Sequence, residues 1–139
     1  MGVIVVSAIC FEREDGAVLT VRKRGTGMWM LPGGKPDAGE GAAECAVREV
    51  REELGVALPI DRIELVDVFE TRAANEAGFA LRATVFRTRE PIEPVVQAEI
   101  EGCRWILPAV GVDDPAEAPL NREHVFPLLL AERAAAVRA

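Results

Sequence analysis

Residues 25–40, GTGMWMLPGGKPDAGE, hold five glycines and two prolines and run straight into a charged amphipathic segment. No helix or strand accommodates such a stretch, so the chain has to organise around an irregular loop, with a short extended piece at MWML. Adjacent glycines after a proline, at 33 and 34, point to strained or tightly packed backbone. A loop of that kind can turn a carbonyl toward a cation or an amide toward a phosphate. Asp37 and Glu40 have the spacing of a capping box, which would fix the start of the next element.

That element is a helix from about Glu40 to Leu54, with Gly55 as its stop. At about 100° per residue, Ala43, Ala46, Val47, Val50 and Leu54 form a narrow apolar stripe. Glu49, Glu52 and Glu53 gather on another face at i, i+3 and i+4, where like charges weaken a bare helix. Ala42 and Cys45 are small and leave room above them. One reading is a solvated face whose glutamates pair with Arg48 and Arg51. The other is a set of hard oxygen donors suited to magnesium or manganese. The glycine loop leading directly into the carboxylates favours the second.

Around this segment the chain alternates strands and helices. VIVVSAICF (3–11) is β-branched, EREDG carries an Asp-Gly turn, and 17–24 alternates, so the three read as a hairpin. Segments 62–71 and 79–88 read as strands joined across RAANEAG, and 100–107 as another strand. Residues 121–137 read as a helix with Pro127 disturbing its start. The expected class is α/β, a mixed sheet sandwiched between helices in one domain over residues 1–139.

Half the residues are apolar and the formal net charge is −7, so a nucleic-acid polymer would be repelled on average. Three separated cysteines (Cys10, Cys45, Cys103) argue against a disulfide framework or zinc cluster and for reduced, cytoplasmic thiols. The apolar N-terminus lacks a basic leader, and Val6 stands where a myristoylation pattern needs Ser or Thr. No stretch approaches the ~20 apolar residues of a membrane span.

Residues 34–56, GKPDAGEGAAECAVREVREELGV, resemble the Nudix box: G, five residues, E, seven residues, RE, an aliphatic, any residue, EE, any residue, G, an aliphatic. All nine fixed positions are filled, by Gly34, Glu40, Arg48, Glu49, Val50, Glu52, Glu53, Gly55 and Val56. MWMLPGG and EIEGCRWI also look like this family. The resemblance implies the Nudix fold and metal-dependent hydrolysis of a diphosphate linkage in a nucleoside diphosphate joined to a group X. A non-canonical or oxidised nucleoside triphosphate, cleaved to monophosphate and pyrophosphate, is one such substrate; nucleotide sugars and dinucleotide polyphosphates are others.

By motif position, Glu49, Glu52 and Glu53 correspond to ligands for Mg2+ or Mn2+, and the carbonyl of Gly33 joins them. Glu49 is alternatively the general base. Arg48 would orient a helix carboxylate, against a plain surface ion pair worth under ~1 kcal/mol. Glu40 would serve the loop and helix start. A further carboxylate is expected beyond the box, with Glu99 first and Glu76 and Glu101 behind it. Lys35 faces either a phosphate or solvent. Arg22 and Arg24 share one strand face, and either could clamp a phosphate. Asn75 is a turn former or a substrate contact. Trp29 and Trp105 are stacking or core residues, and His124 a cap or surface residue.

Two other classes stay open on the same scaffold: a nucleotide-sensing domain without chemistry, and an isomerase of isoprenoid diphosphates. The intact carboxylate set disfavours the first, and the lack of a paired acid–base cysteine and glutamate disfavours the second. A homodimer through an edge strand at 3–11 is a further expectation by analogy.

Overall fold

The computed structural model describes residues 2–138. A four-stranded mixed sheet has the order β3-β1-β5-β4, with β1 at Val3–Phe11, β3 at Gly33–Gly34, β4 at Glu64–Arg72 and β5 at Ala80–Thr88. β1 runs parallel to β5, from Val3↔Ala80 to Phe11↔Thr88, and β4 and β5 form the antiparallel pair expected across RAANEAG. A second, two-stranded antiparallel sheet joins β2 (Val18–Lys23) to β6 (Ile100–Ile106). Helix α1 spans Ala42–Leu54, a short α2 spans Pro108–Gly111, and α3 spans Phe126–Arg138.

The second half of β1 is buried on both sides, which explains its unbroken apolar run. Ala8 and Cys10 join Val85, Phe126 and Leu129 in a core on the α3 side. Ile9 and Phe11 point the other way, onto Val50, Leu54 and Phe86 on the α1 side. The mixed sheet is thereby sandwiched between helices, as expected for the Nudix fold.

Several local expectations change. β1 and β2 reverse at Gly16 (φ 88°), but they share only the Glu12↔Val18 bridge and enter different sheets. β3 and β5 occupy the edges of β1, so β2 pairs with β6 instead of forming a hairpin. For the same reason 3–11 is an internal strand, and the edges of the larger sheet are β3 and β4.

Helix α1 begins at Ala42 behind Gly41, which offers no side-chain cap. Asp37 and Glu40 do bond reciprocally, Asp37 N–H to Glu40 Oε1 at 2.9 Å and Glu40 N–H to the Asp37 carbonyl at 3.0 Å. They fasten the loop two residues before the helix rather than capping it. Gly55 ends α1 in the left-handed region (φ 67°), its N–H on the Arg51 carbonyl. Pro127 lies inside a helical run that is continuous from residue 119, immediately after a widened π-helical turn at Asn121–Val125, so its missing N–H falls where the hydrogen-bond ladder already shifts register. The three cysteines are free, and no helix among the described residues is long and apolar enough to cross a membrane.

Candidate functional site

The glycine pair owes its place to packing, not strain, since neither residue has a positive φ. A Cβ on Gly33 would overlap the Ser7 carbonyl oxygen and stand 2.7 Å from the Ala8 Cα. Only a bare backbone lets β3 lie against β1 at Ser7↔Gly34 and Ala8↔Gly33. A Cβ on Gly34 would overlap the Glu49 carboxylate. The loop is thus pressed between β1 and the acidic side of α1.

A cleft of about 580 Å³ opens there. Gly33, Lys35, Arg48, Glu49 and Glu53 line it from the loop and α1, and Asn75, Glu76 and Glu99 from two later loops. Ile4, Val6, Leu31, Leu81 and Leu120 give it an apolar lining.

The three helix glutamates differ sharply in depth. Taking Val50 as the direction of the core, Glu53, Glu49 and Glu52 lie about 60°, 100° and 160° away around the helix. Glu53 is buried, with 3% exposure, and accepts the Gly33 N–H at 3.1 Å. Desolvation pushes its carboxyl up to about 8, against the lowering effect of that N–H and of Lys23. Glu49 is half-buried, and desolvation raises its pKa too. Glu52 is exposed, lies outside the cleft, and is drawn to Arg48 Nη1 at 3.2 and 3.3 Å.

Arg48 is the hub of this corner. It holds Glu40 through Nε (2.7 Å) and Nη2 (2.9 Å), the Lys35 carbonyl at 3.1 Å, and Glu49 at 3.4 Å. The guanidinium holds the Glu40 carboxyl down at about 2. Arg48 therefore staples the loop to α1, beyond a plain surface pair.

Among the described residues, no three acidic, histidine or cysteine side chains stand close enough together to enclose a cation. The donor chemistry nevertheless fits a hard divalent ion. Glu53 is a desolvated carboxylate whose hydrogen bond comes from a single backbone N–H, and an adjacent cation would supply the missing countercharge. Glu49 and Glu99 face the same cleft, while Glu52 reaches it only by leaving Arg48.

Arg24 does not belong to the site: it is exposed and outside the cleft. Period-two alternation along β2 puts Lys23, not Arg24, on the face of Val21, and both of these line the cleft. Lys23 Nζ stands 3.4 Å from Glu99 Oε1. Arg22 faces away onto Glu101 (2.6 Å), which removes that carboxylate from the site as well. Asn75 Nδ2 reaches Met30 Sδ at 3.7 Å. Trp29 lies beneath the guanidiniums of Arg22 and Arg104, Trp105 beneath Arg13, and His124 packs on Phe69.

Sequence reasoning missed Lys23, Arg72 and Asn121, all of which line the cleft. The alternation from Val21 could have found Lys23. Arg72 ends β4 and pairs with Glu123 at 2.6 Å. Asn121 was hidden in a segment that reads as an ordinary helix start.

A sequence model of the NUDIX domain matches residues 1–129. "Nudix hydrolase 6" of Arabidopsis thaliana is 30% identical over 114 residues, covering 74% of this chain and 38% of that protein. The "Putative 8-oxo-dGTP diphosphatase" of Bacillus subtilis (strain 168) is 48% identical over 42 residues, covering 30% of this chain and 28% of that protein. The chain thus spans well under half the length of either curated relative. The solution structure of the E. coli ORF135 protein superposes with a TM-score of 0.74 at 26% identity, covering 97% of this chain and 94% of that one. The MutT protein from Methanosarcina mazei Go1 shares the fold with a TM-score of 0.75 at 20% identity, covering 95% and 96%. The chain belongs to the Nudix family.

Proposed function

We propose that this chain is a divalent-cation-dependent hydrolase of a diphosphate linkage in a small nucleotide. The observation that carries the reading is the corner where Glu49 and the desolvated Glu53 meet the Gly33–Gly34 backbone inside a nucleotide-sized cleft. Glu49, Glu52, Glu53, the Gly33 carbonyl and Glu99 would hold Mg2+ or Mn2+. When bound, the cation neutralises phosphate oxygens that otherwise repel the nucleophile.

The chain's own residues do the rest. Lys23 and Lys35 line the cleft and offer ammonium groups to the phosphates. Arg48 orients the carboxylates and fixes the loop. Water attacks one phosphorus, the bond to the bridging oxygen breaks, and pyrophosphate leaves. Where Glu49 serves as the general base instead of as a cation ligand, the water's proton passes to its carboxylate, which lines the cleft. The apolar lining with Asn121 and Asn75 would take the base.

A damaged or non-canonical nucleoside triphosphate, cleaved to the monophosphate and pyrophosphate, is the preferred substrate. In support, the Bacillus relative, matched over 42 residues, carries the name of an 8-oxo-dGTP diphosphatase.

One observation favours a second reading, a nucleotide-binding domain without chemistry: Glu52 is engaged by Arg48 rather than facing the cleft. Phosphate release from nucleoside triphosphates, nucleotide sugars and dinucleotide polyphosphates, with and without Mg2+ or Mn2+, separates the two. Cation-dependent turnover that falls by about 10²-fold or more in Glu53→Gln and Glu52→Gln, with melting preserved, supports hydrolysis. Near-normal turnover in Glu53→Gln would overturn it.

A further inference from the structure

The last carbonyls of α1 are taken by a loop far along the chain. Val95 N–H donates to the Leu54 carbonyl at 2.9 Å, and Gln97 N–H to the Glu53 carbonyl at 3.0 Å. A helix leaves its final C=O groups without partners of its own, so these bonds cap α1 from outside. The Gln97 side chain folds back with them. Its Nε2 donates to the Val95 carbonyl at 3.3 Å and lies 2.5 Å from where a Cβ on Gly55 would stand. Gly55 therefore seats the loop as well as ending the helix.

Immediately beyond, the chain turns. Ile100 N–H returns to the Gln97 carbonyl at 3.2 Å, which leaves Ala98 and Glu99 at the centre of the turn. Ala98 has φ 57°, the one positive φ outside glycine among the described residues. Left-handed backbone ordinarily takes glycine, because a Cβ crowds the neighbouring carbonyl. Such strain persists only where the surroundings over-determine the conformation. Here they do so from both sides. Gln97 is bonded to α1, and the Glu99 carbonyl accepts the Arg24 N–H at 2.8 Å. The Glu99 side chain leaves this clamped turn into the cleft that Glu49 and Glu53 also line. Glu53 thus gives its carboxylate to the cleft and its carbonyl to the loop that carries Glu99. The methyl group at 98 narrows the conformations open to the turn, which glycine would widen.

We propose that Ala98 is a positioning residue whose left-handed turn, clipped to the Glu53 carbonyl, aims Glu99 at the cation corner, so that affinity for a divalent cation depends on a residue that does not touch it. This positioning deepens the cation-dependent reading above and rests on it for the ligand. Its readout is cation binding, not turnover.

Mn2+ alone is titrated into the parent and each variant, free Mn2+ is read from its electron paramagnetic resonance signal, and melting is followed in parallel. Glu99→Gln should weaken Mn2+ binding about tenfold, the loss of one charged donor. Ala98→Gly should weaken it about threefold or more through the loosened support of that donor. Its melting should stay within about 3 °C of the parent, since relief of strain and added chain freedom oppose each other. Ala98→Asn, whose side chain tolerates the left-handed region, should bind Mn2+ within about twofold of the parent. The double variant Ala98→Gly/Glu99→Gln should bind no more weakly than Glu99→Gln, because the turn acts only through that carboxylate.

A loss of less than threefold in Ala98→Gly overturns the proposal. So does a Glu99→Gln protein that binds like the parent, an Ala98→Asn protein as weak as Ala98→Gly, or a double variant in which the two losses add. Absence of Mn2+ binding by the parent refutes the cation-dependent reading and the positioning with it. Parent binding that Glu53→Gln abolishes and Ala98→Gly leaves intact refutes the positioning alone.

Discussion

Replacing Gly33 and Gly34 by alanine, one at a time, should give opposite outcomes. The methyl group at 33 meets backbone: it overlaps the Ser7 carbonyl and presses on Ala8 Cα at 2.7 Å, and neither can move without parting β3 from β1. That separation puts at risk the Gly33 N–H bond to Glu53 (3.1 Å) and the Ile9 N–H bond to Pro32 (3.0 Å). Leaving a buried donor or acceptor without its partner costs about 1–3 kcal/mol. Alanine returns about 0.4–1 kcal/mol through the unfolded chain. A net loss of about 2–3 kcal/mol follows, a fall of roughly 6–12 °C in Tm for a chain of this size.

The methyl group at 34 meets only the Glu49 carboxylate, the far end of a flexible side chain. Gly34→Ala should therefore melt within about 3 °C of the parent, while turnover falls about tenfold or more because Glu49 is displaced. Thermal melting by circular dichroism and phosphate release with Mg2+ measure the two effects. A Gly33→Ala protein as stable as the parent, or a Gly34→Ala protein less stable than Gly33→Ala, would refute the packing account of the pair.

Glu40 titrates at about 2 in the folded chain against 4.5 for the free side chain, first because of Arg48. A depressed carboxylate adds stability above the unfolded value, and that stability disappears as pH falls from about 4.5 toward 2. Melting of the parent should thus drop more steeply through that window than melting of Glu40→Gln, and parallel curves would contradict it. Lys23→Met should raise KM for a triphosphate about tenfold, the loss of one charge-assisted contact, with a smaller change in kcat. An unchanged KM would remove Lys23 from the phosphate-binding role.

Much of this chain was decided locally and is legible in its residues. The span of α1, its stop at Gly55, its buried stripe of Ala46, Val50 and Leu54, and the dense glycine loop all follow from side-chain type and helical period. The division of labour among Glu49, Glu52 and Glu53 is half-legible. The helical angle ranks their depth and sets Glu52 outward, but only the loop pressed on α1 buries Glu53, and Arg48 then engages Glu52 on that outer side.

The rest required the tertiary structure. An Asp-Gly turn says that the chain reverses, not that the neighbouring edges of β1 are already taken, so β1 and β2 part into separate sheets. Glu117 meets Thr20 across 97 residues of sequence, and Asn121 meets Trp29 across 92. Periodicity governs which way a residue faces within its own element. Which partner waits there depends on how distant elements stack, and a pattern confined to a few turns of chain holds no information about that.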